Sequence, residues 1–277
     1  MNPDNRDLIL DQFTRQAARF AASPLVNAES LLDRMVELAQ AGGDDSMLDS
    51  GSGPGVVVCA FASKVRLAIG VDLTAAMIEQ ARDLEARRGL CNVAWVRSDI
   101  TALPFAEQRF SIVASRFVFH HLPDPAAAVR EMARVCRPGG RIVVADSAPA
   151  AEKADAFNAM ERLRDPSHVE ALTVDELLRL VSAAGFEDAR AETLRLGGDL
   201  DSLLARSFPR EGDEARIRGI FEDALADDRL DMDVRRENGR ILYGWPLAIV
   251  TATAAATRPP VPGSYNPPAR SADRVRG

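Results

Sequence analysis

The chain has 277 residues, 47% hydrophobic and 27% charged, with a net charge of −7. This composition suits one globular domain large enough to bury a substantial core, and the acidic balance, with no long basic run before the C-terminal stretch, argues against a nucleic-acid partner. Cys59, Cys91 and Cys136 are scattered and form no C-x-x-C pair, which gives no support to a disulfide framework or a zinc site and fits a reducing, cytoplasmic compartment.

The start of the chain carries Asp4, Asp7 and Asp11 where a signal peptide needs an apolar run. DLILDQFTRQAARFAAS sets Ile9, Phe13, Ala17 and Phe20 on one helical face. A second helix, SLLDRMVELAQAG, stops at Gly42 and Gly43. Residues 1–45 are expected to form a helical lid. From Ser46 onward strands and helices alternate. MLD ends a strand, glycines turn it, and VVVCAFASK follows as a helix on the strength of the alternation, since valine is a poor helix former. VRLAIGVD is a strand and TAAMIEQARDLEARRG a helix closed by Gly89. NVAWVRSD and FSIVASRF are strands, and DPAAAVREMARVC is a helix with Asp124 as N-cap and Pro125 at its first position. RPGG reads as a turn and RIVVADS as a strand. The pattern implies an α/β fold, a parallel sheet with helices on both faces.

After Ser147 the pattern changes. AEKADAFNAMERLRDPSH reads as helix and loop, and TVDELLRLVSAAG as a helix with a capping box from Thr173 to Glu176. ARAETLRL is a strand, helical segments run over about 199–226, and RILYGWPLAIVTATA is a long strand. The apolar stretch 241–256 contains Gly244 and Pro246 and falls short of the ~20 residues of a membrane span, so none is expected. Residues 46–256 are read as one domain with substrate-lid insertions at about 151–171 and 199–238. Residues 257–277, rich in Pro and Arg, are read as a disordered tail.

The loop MLDSGSGPG carries the functional signal. Gly51, Gly53 and Gly55 give G-x-G-x-G, which is neither the dinucleotide fingerprint nor a Walker loop, because Val56 and Val57 follow the last glycine. Asp49 ends the strand before the turn. A carboxylate there opposes a pyrophosphate and suits a ligand with positive charge, such as S-adenosylmethionine with its ammonium and sulfonium; the alternative is that Asp49 only caps the turn. Asp72 ends the second strand, where it could accept from both ribose hydroxyls, and Asp99 ends the third, where it either meets an adenine amino group or stabilises a turn before Thr101. Met77 either packs on the adenine face or belongs to the core. Three acids at successive strand ends face the crevice where open α/β sheets bind ligands.

LDSGSGPG, IGVDLTAAMIEQAR, RSDITALPF and FSIVASRFVFHHLPDPAAAVREMARVCRPGGRIVVAD together resemble the successive motifs of class I S-adenosylmethionine-dependent methyltransferases. The similarity is greatest to the small-molecule branch that includes the ubiquinone/menaquinone biosynthesis enzymes. It covers about 48–147 and more weakly continues to 256. The resemblance implies a Rossmann-like, seven-stranded sheet with one antiparallel strand in its final hairpin. It implies that Asp49, Gly51 and Gly53 line the methionine end of the cofactor, that Asp72 holds the ribose with Leu73 beside the adenine, and that Asp99 and Ile100 meet the adenine edge. Arg116 would touch the cofactor through its backbone, and the N-terminal helix around Phe13 and Thr14, with Phe20, would close over it. Two features depart from the branch. Ser111 replaces the acid common at the start of the fourth strand, and FVFHH replaces the Gly-Leu-Arg-Asn of the quinone enzymes, which puts a quinone substrate in doubt.

Methyl transfer from a sulfonium is an in-line displacement, so the main demand is an acceptor held ~3–3.5 Å from the methyl. A base is needed where the acceptor must lose a proton. His120 and His121 follow the fourth strand and are the candidates, with His121 favoured slightly; adjacent residues point apart, so at most one is expected to face the site, and both could equally be structural. His168 either reaches the acceptor or caps the helix at Thr173. Phe157, Met160, Leu163, Leu203, Leu204, Phe208 and Phe221 either line an apolar pocket for an aromatic, polyketide-like or terpenoid acceptor or pack the lid. No oxygen-rich cluster follows the fourth strand, so no metal is expected. The expected activity is methyl transfer to a small-molecule acceptor with S-adenosylhomocysteine as product. A cofactor-binding protein of the same fold that does not methylate is the alternative. A nicotinamide oxidoreductase is disfavoured by the loop spacing and Asp49.

Overall fold

The computed structural model describes residues 3–23 and 26–256. Helices α1 (Pro3–Ala21) and α2 (Glu29–Leu38) precede β1 (Ser46–Ser50). The chain continues through α3 (Val56–Ala62), β2 (Leu67–Asp72), α4 (Ala75–Arg88), β3 (Val93–Arg97), β4 (Phe110–Arg116), α5 (Pro125–Val135) and β5 (Cys136–Ser147). The second half holds α6 (Ala154–Arg164), α7 (Val174–Ala183), β6 (Phe186–Asp199), α8 (Leu200–Arg206), α9 (Asp213–Asp227), β7 (Arg235–Glu237) and β8 (Arg240–Ala254). Local chemistry sets several of these boundaries. Asp124 accepts from the Ala127 N–H with proline in the first turn of α5, and Thr173 and Glu176 complete a reciprocal capping box on α7. The valines of α3 are helical because nearly every side chain of that short segment is buried, and packing overrides their weak propensity.

Seven strands run in the order β3-β2-β1-β4-β5-β8-β6, and β7 pairs with β8 off that path. β8 is antiparallel to β5, β6 and β7, while the other pairings are parallel. The sheet is the Rossmann-like, mostly parallel one expected, with eight strands among the described residues rather than seven. The additional strand, β7, is half of a tight hairpin in which Glu237 faces Arg240. Asn238 and Gly239 turn it with φ of 50° and 77°, the positive pair that an Asn-Gly hairpin requires. RPGG is not a free turn. It lies within β5 as an irregularity, where pairing jumps from Phe110–Cys136 to Ile112–Arg141. The expected disorder of 257–277 falls outside the described residues.

Alternate residues of the central strands enter opposite core layers, as the strand period dictates. Met47, Val143 and Ile249 join α2 and α3 on one side, and Leu48, Val144 and Val250 join α5 and α7 on the other. The 1–45 segment divides: α2 buries Leu31, Leu32 and Met35 in the first layer, whereas α1 packs against α4 and α8. Helices α6, α8 and α9 join the first layer through Phe157, Leu203 and Phe221. Because β1 has β2 on one side and β4 on the other, the connections leaving β1 and β4 diverge. They open a crevice at the C-terminal edge of the sheet.

Trp95 on β3 lies across that region, with its Nε1–H donating to Glu85 at 2.7 Å. A Cβ built on Gly70 would stand 2.5 Å from Trp95 Cζ3 and 2.8 Å from Ser52 Oγ. Gly70→Ala is therefore expected to cost ~1–3 kcal/mol through overpacking, seen as a lower urea midpoint at unchanged slope. A wild-type midpoint would mean that the indole yields freely.

Candidate functional site

The crevice holds a cleft of about 830 Å³ that is open at its mouth. Its walls bring together Asp49, Gly51, Gly53, Asp72, Leu73, Met77, Asp99, Ile100 and Arg116 from the sheet side, Phe13 and Phe20 from α1, and His121 from the turn after β4. Thr14, expected beside Phe13, is exposed to solvent instead. The glycine loop is held by its own backbone: Gly51 and Ser52 both donate to the Val71 carbonyl, at 2.9 and 2.8 Å. Gly51 has φ of +81°, and a Cβ there would lie 2.5 Å from a Val118 methyl, so both conformation and space demand glycine.

Each acid of the cleft has a distinct state. Asp49 is 1% exposed, and its Oδ1 is buried without a hydrogen-bond partner. Burial pushes its carboxyl up to about 8; Arg116 opposes that rise and Asp72 adds to it. Asp72 accepts from Gly53 N–H and Thr74 N–H, both at 2.8 Å. It thus ties the glycine loop to the start of α4. Burial also raises its pKa, against those hydrogen bonds. Asp99 Oδ1 accepts from the Thr101 N–H at 2.9 Å and hydroxyl at 2.7 Å, the turn-stabilising bonds the sequence allowed, while the residue still lines the cleft. Burial brings the Arg116 guanidinium down to about 10 despite Asp49. Its Nη1 donates to the Val26 carbonyl at 2.7 Å, so this side chain, and not only its backbone, belongs to the site.

A second chamber of about 590 Å³ adjoins the cleft and shares Phe13, Phe20, Val26, Phe117 and His121 with it. Phe117 adopts φ of +57°, a conformation costly for an aromatic residue and found where a site imposes it. The chamber contrasts with the apolar pocket that the sequence allowed. Gln16, Glu161, Arg164, Asp165 and Arg206 stand in its wall beside Trp245. Glu161 is buried and grips Arg164 at 2.5 and 2.7 Å. Phe157 and Met160, which the sequence left as either pocket lining or lid packing, are fully buried in the core layer, Phe157 edge-on to Trp245 at 5.4 Å. They pack the lid because their side of α6 faces α9 and the sheet.

The three histidines form a buried cluster. His120 Nδ1 lies 2.5 Å from Asp146 Oδ1. His121 Nδ1 faces the Ser167 carbonyl at 3.2 Å and its hydroxyl at 3.1 Å, and its ring meets Phe13 edge-on at 4.9 Å. The two adjacent rings sit 4.2 Å apart, in a 3₁₀ turn, Phe119–His121, that brings both to the site. His121 is brought down to about 4 by burial and by His120. His168 neither caps α7 nor lines either cavity: its Nε2 donates to Asn158 Oδ1 at 2.7 Å, and burial keeps it neutral. Asp146 was missed in the sequence. It is a fourth acid at a strand end, legible by the rule that found Asp49, Asp72 and Asp99. Among the described residues no group of three or more His, Cys, Asp or Glu side chains could hold a metal ion. No helix there is long and apolar enough to cross a membrane.

The donor set suits a cationic nucleoside better than a pyrophosphate. The one arginine of the cleft, Arg116, is set against Asp49, and the unsatisfied Asp49 oxygen awaits a donor. Comparisons with known proteins agree. Residues 48–144 match the family model for a methyltransferase domain. The chain is 34% identical over 173 residues to the uncharacterized methyltransferase YcgJ of Bacillus subtilis, covering 62% of this chain and 68% of that one. It is 29% identical over 204 residues to the 27-O-demethylrifamycin SV methyltransferase of Amycolatopsis mediterranei, 70% of each. It is 29% identical over 146 residues to the ubiquinone/menaquinone biosynthesis C-methyltransferase UbiE of Bdellovibrio bacteriovorus, 50% of this chain and 62% of that one. The crystal structure of YcgJ superposes with a TM-score of 0.75 at 28% identity, over 81% of this chain and 97% of that one.

The raised pKa of Asp49 has a measurable consequence in the ligand-free protein. Between the unfolded carboxylate value of ~3.9 and about 8, the folded form binds more protons than the unfolded one, so this group makes stability fall as pH rises. Asp49→Asn should keep a near-wild-type melting temperature at acid pH and flatten the decline between those limits. A variant that retains the full wild-type slope would remove Asp49 as its source.

Proposed function

The chain belongs to the class I S-adenosylmethionine-dependent methyltransferases, and from that premise we propose that its cleft binds S-adenosylmethionine and its second chamber a small-molecule acceptor. The observation that carries this reading is the common wall: Phe13, Phe20, Val26, Phe117 and His121 line both spaces. When bound, the cofactor supplies an electrophilic methyl group on a sulfonium, with S-adenosylhomocysteine as product. The chain's own work is to bind, orient and exclude water. Asp49, with Gly51 and Gly53, receives the cationic methionine end. Asp72 accepts from the ribose hydroxyls through lone pairs not used by Gly53 and Thr74. Leu73, Met77, Asp99 and Ile100, which line the same cleft, would hold the adenine. Arg116 anchors the Val26 segment, and α1 covers the cleft through Phe13 and Phe20.

An aromatic or polyketide-like acceptor is supported by the aromatic walls of the chamber and by the name of the rifamycin relative. The polar groups beside Trp245 point to an acceptor that also carries hydrogen-bonding groups. The scattered cysteines Cys59, Cys91 and Cys136 suit a cytoplasmic enzyme, and the net charge of −7 suits a partner other than nucleic acid.

Two measurements test this reading. Mass spectrometry of small molecules released from the purified protein should find S-adenosylmethionine or its product; a nicotinamide cofactor would refute it. Asp72→Ala should weaken S-adenosylmethionine binding at least tenfold by titration calorimetry, because two charge-assisted hydrogen bonds of ~1.5–3 kcal/mol each are lost. Unchanged affinity would remove Asp72 from the ribose site.

A further inference from the structure

Of the three imidazoles in the cluster, His120 alone has a carboxylate partner. Its ring is 6% exposed and lines the acceptor chamber, while Asp146 is 2% exposed at the end of β5. Asp146 is itself over-determined. Its Oδ2 accepts from the Phe119 N–H at 2.8 Å and the Val118 N–H at 3.2 Å, and its Oδ1 accepts from the Ser147 N–H at 2.7 Å as well as meeting His120. A carboxylate is an acceptor only, so Nδ1 of His120 must carry the proton. The nitrogen left to meet a bound acceptor is Nε2, with its lone pair free when the ring is neutral.

We propose that His120 is the catalytic base for a weakly acidic hydroxyl, phenolic or enolic, and that Asp146 is the positioning residue that fixes its tautomer. The inference rests on the methyltransferase reading above and adds the acceptor class to it. In the step, the hydroxyl O–H bond would break with its electron pair left on oxygen, which would use that pair to take the methyl, while the methyl–sulfur bond would break with its pair left on the departing thioether of S-adenosylhomocysteine. The proton becomes the Nε2–H of an imidazolium facing Asp146. An aromatic amine, already neutral near pH 7, would gain little from the same pair.

The surroundings of His120 distinguish it from its neighbours. Burial disfavours its charge, but Asp146 on β5, with Glu161 on α6 and Asp165 just beyond, more than offsets that and raises its pKa above the ordinary histidine value. His121 in the same turn and His168, 5.5 Å away, stay neutral beside it. His121 is the weaker base of the facing pair and is already turned toward Ser167, whose hydroxyl donates to Asp165 at 2.6 Å. The slight preference for His121 drawn from the sequence gives way to His120. Because the base must be neutral, turnover should rise with pH through the elevated His120 pKa.

The test uses the full chain. Long-range proton–nitrogen NMR of the ¹⁵N-labelled, ligand-free protein should find neutral His120 as the Nδ1–H tautomer, titrating above the ordinary value. In Asp146→Asn, the amide oxygen in the place of Oδ2 can still accept from Phe119 and Val118, while the NH2 in the place of Oδ1 gives up the Ser147 bond and presents an N–H to the ring, so the tautomer should invert and the titration should fall. An Nε2–H tautomer in the wild type, or no inversion in the variant, overturns the positioning role whether or not methyl transfer has been observed. The second readout is methyl transfer to catechol and to 4-nitrophenol, at a pH where the nitrophenol is already ionised. His120→Ala and Asp146→Asn should each lose ~10²–10⁴-fold in turnover on catechol and less than tenfold on 4-nitrophenol, with the Kd for S-adenosylmethionine unchanged. Equal losses on both acceptors, or a wild type that binds the cofactor and methylates neither, overturn the base and its acceptor class. Failure to bind S-adenosylmethionine at all would instead overturn the reading beneath it.

Discussion

A carboxylate buried at the end of β1 governs the architecture of the site. Asp49 has lost its water, faces a second acid in Asp72 and keeps one oxygen without a hydrogen-bond partner. The fold tolerates this because Arg116, at the end of the neighbouring β4, brings an equally buried positive charge to the same place. Arg116 in turn bonds to the Val26 carbonyl, beside the cleft wall that Phe13 and Phe20 of α1 complete. One electrostatic imbalance therefore connects the glycine loop, the fourth strand and the covering helix. The binding of a positively charged group would relieve it at its centre.

The same logic, with opposite balance, organises the second chamber. There each buried charge has a close partner: Glu161 with Arg164, Asp146 with His120, Asp165 with the Ser167 hydroxyl. Paired buried charges are costly to desolvate and gain in return a fixed geometry. The cleft is thus left electrostatically unfinished on the protein side, whereas the chamber is built to orient.

The cleft was largely legible in the sequence because it depends on the backbone. Strand ends, the spacing of Gly51, Gly53 and Gly55, and acids at Asp49, Asp72 and Asp99 are local facts, and the parallel topology converts them into one crevice. The second chamber depends on which face of a helix meets which neighbour. Phe157 and Met160 have the composition of a pocket lining, yet α6 turns them toward α9 and the sheet, and the polar face with Glu161 and Arg164 meets the cavity. Periodicity identifies the two faces of such a helix but not their orientation. β7 escaped notice for a different reason: Arg235, Arg236 and Glu237 are all exposed, so no alternation marks them, and only the Asn-Gly dipeptide betrays the hairpin.

The chain has two tryptophans, and the fold has sent one behind the glycine loop and the other into the wall of the chamber. Trp95 is half-buried beneath the glycine loop, tied to Glu85. Trp245 is 4% exposed in the chamber wall, bonded through Nε1 to the Ser147 hydroxyl at 2.9 Å with the Arg164 guanidinium 5.6 Å above its ring. Each indole is therefore a native optical reporter with its own polarity and its own neighbouring charge. With Trp95 replaced by phenylalanine, the emission of Trp245 reports on the chamber alone, so whatever enters that space is read in the protein's intrinsic fluorescence.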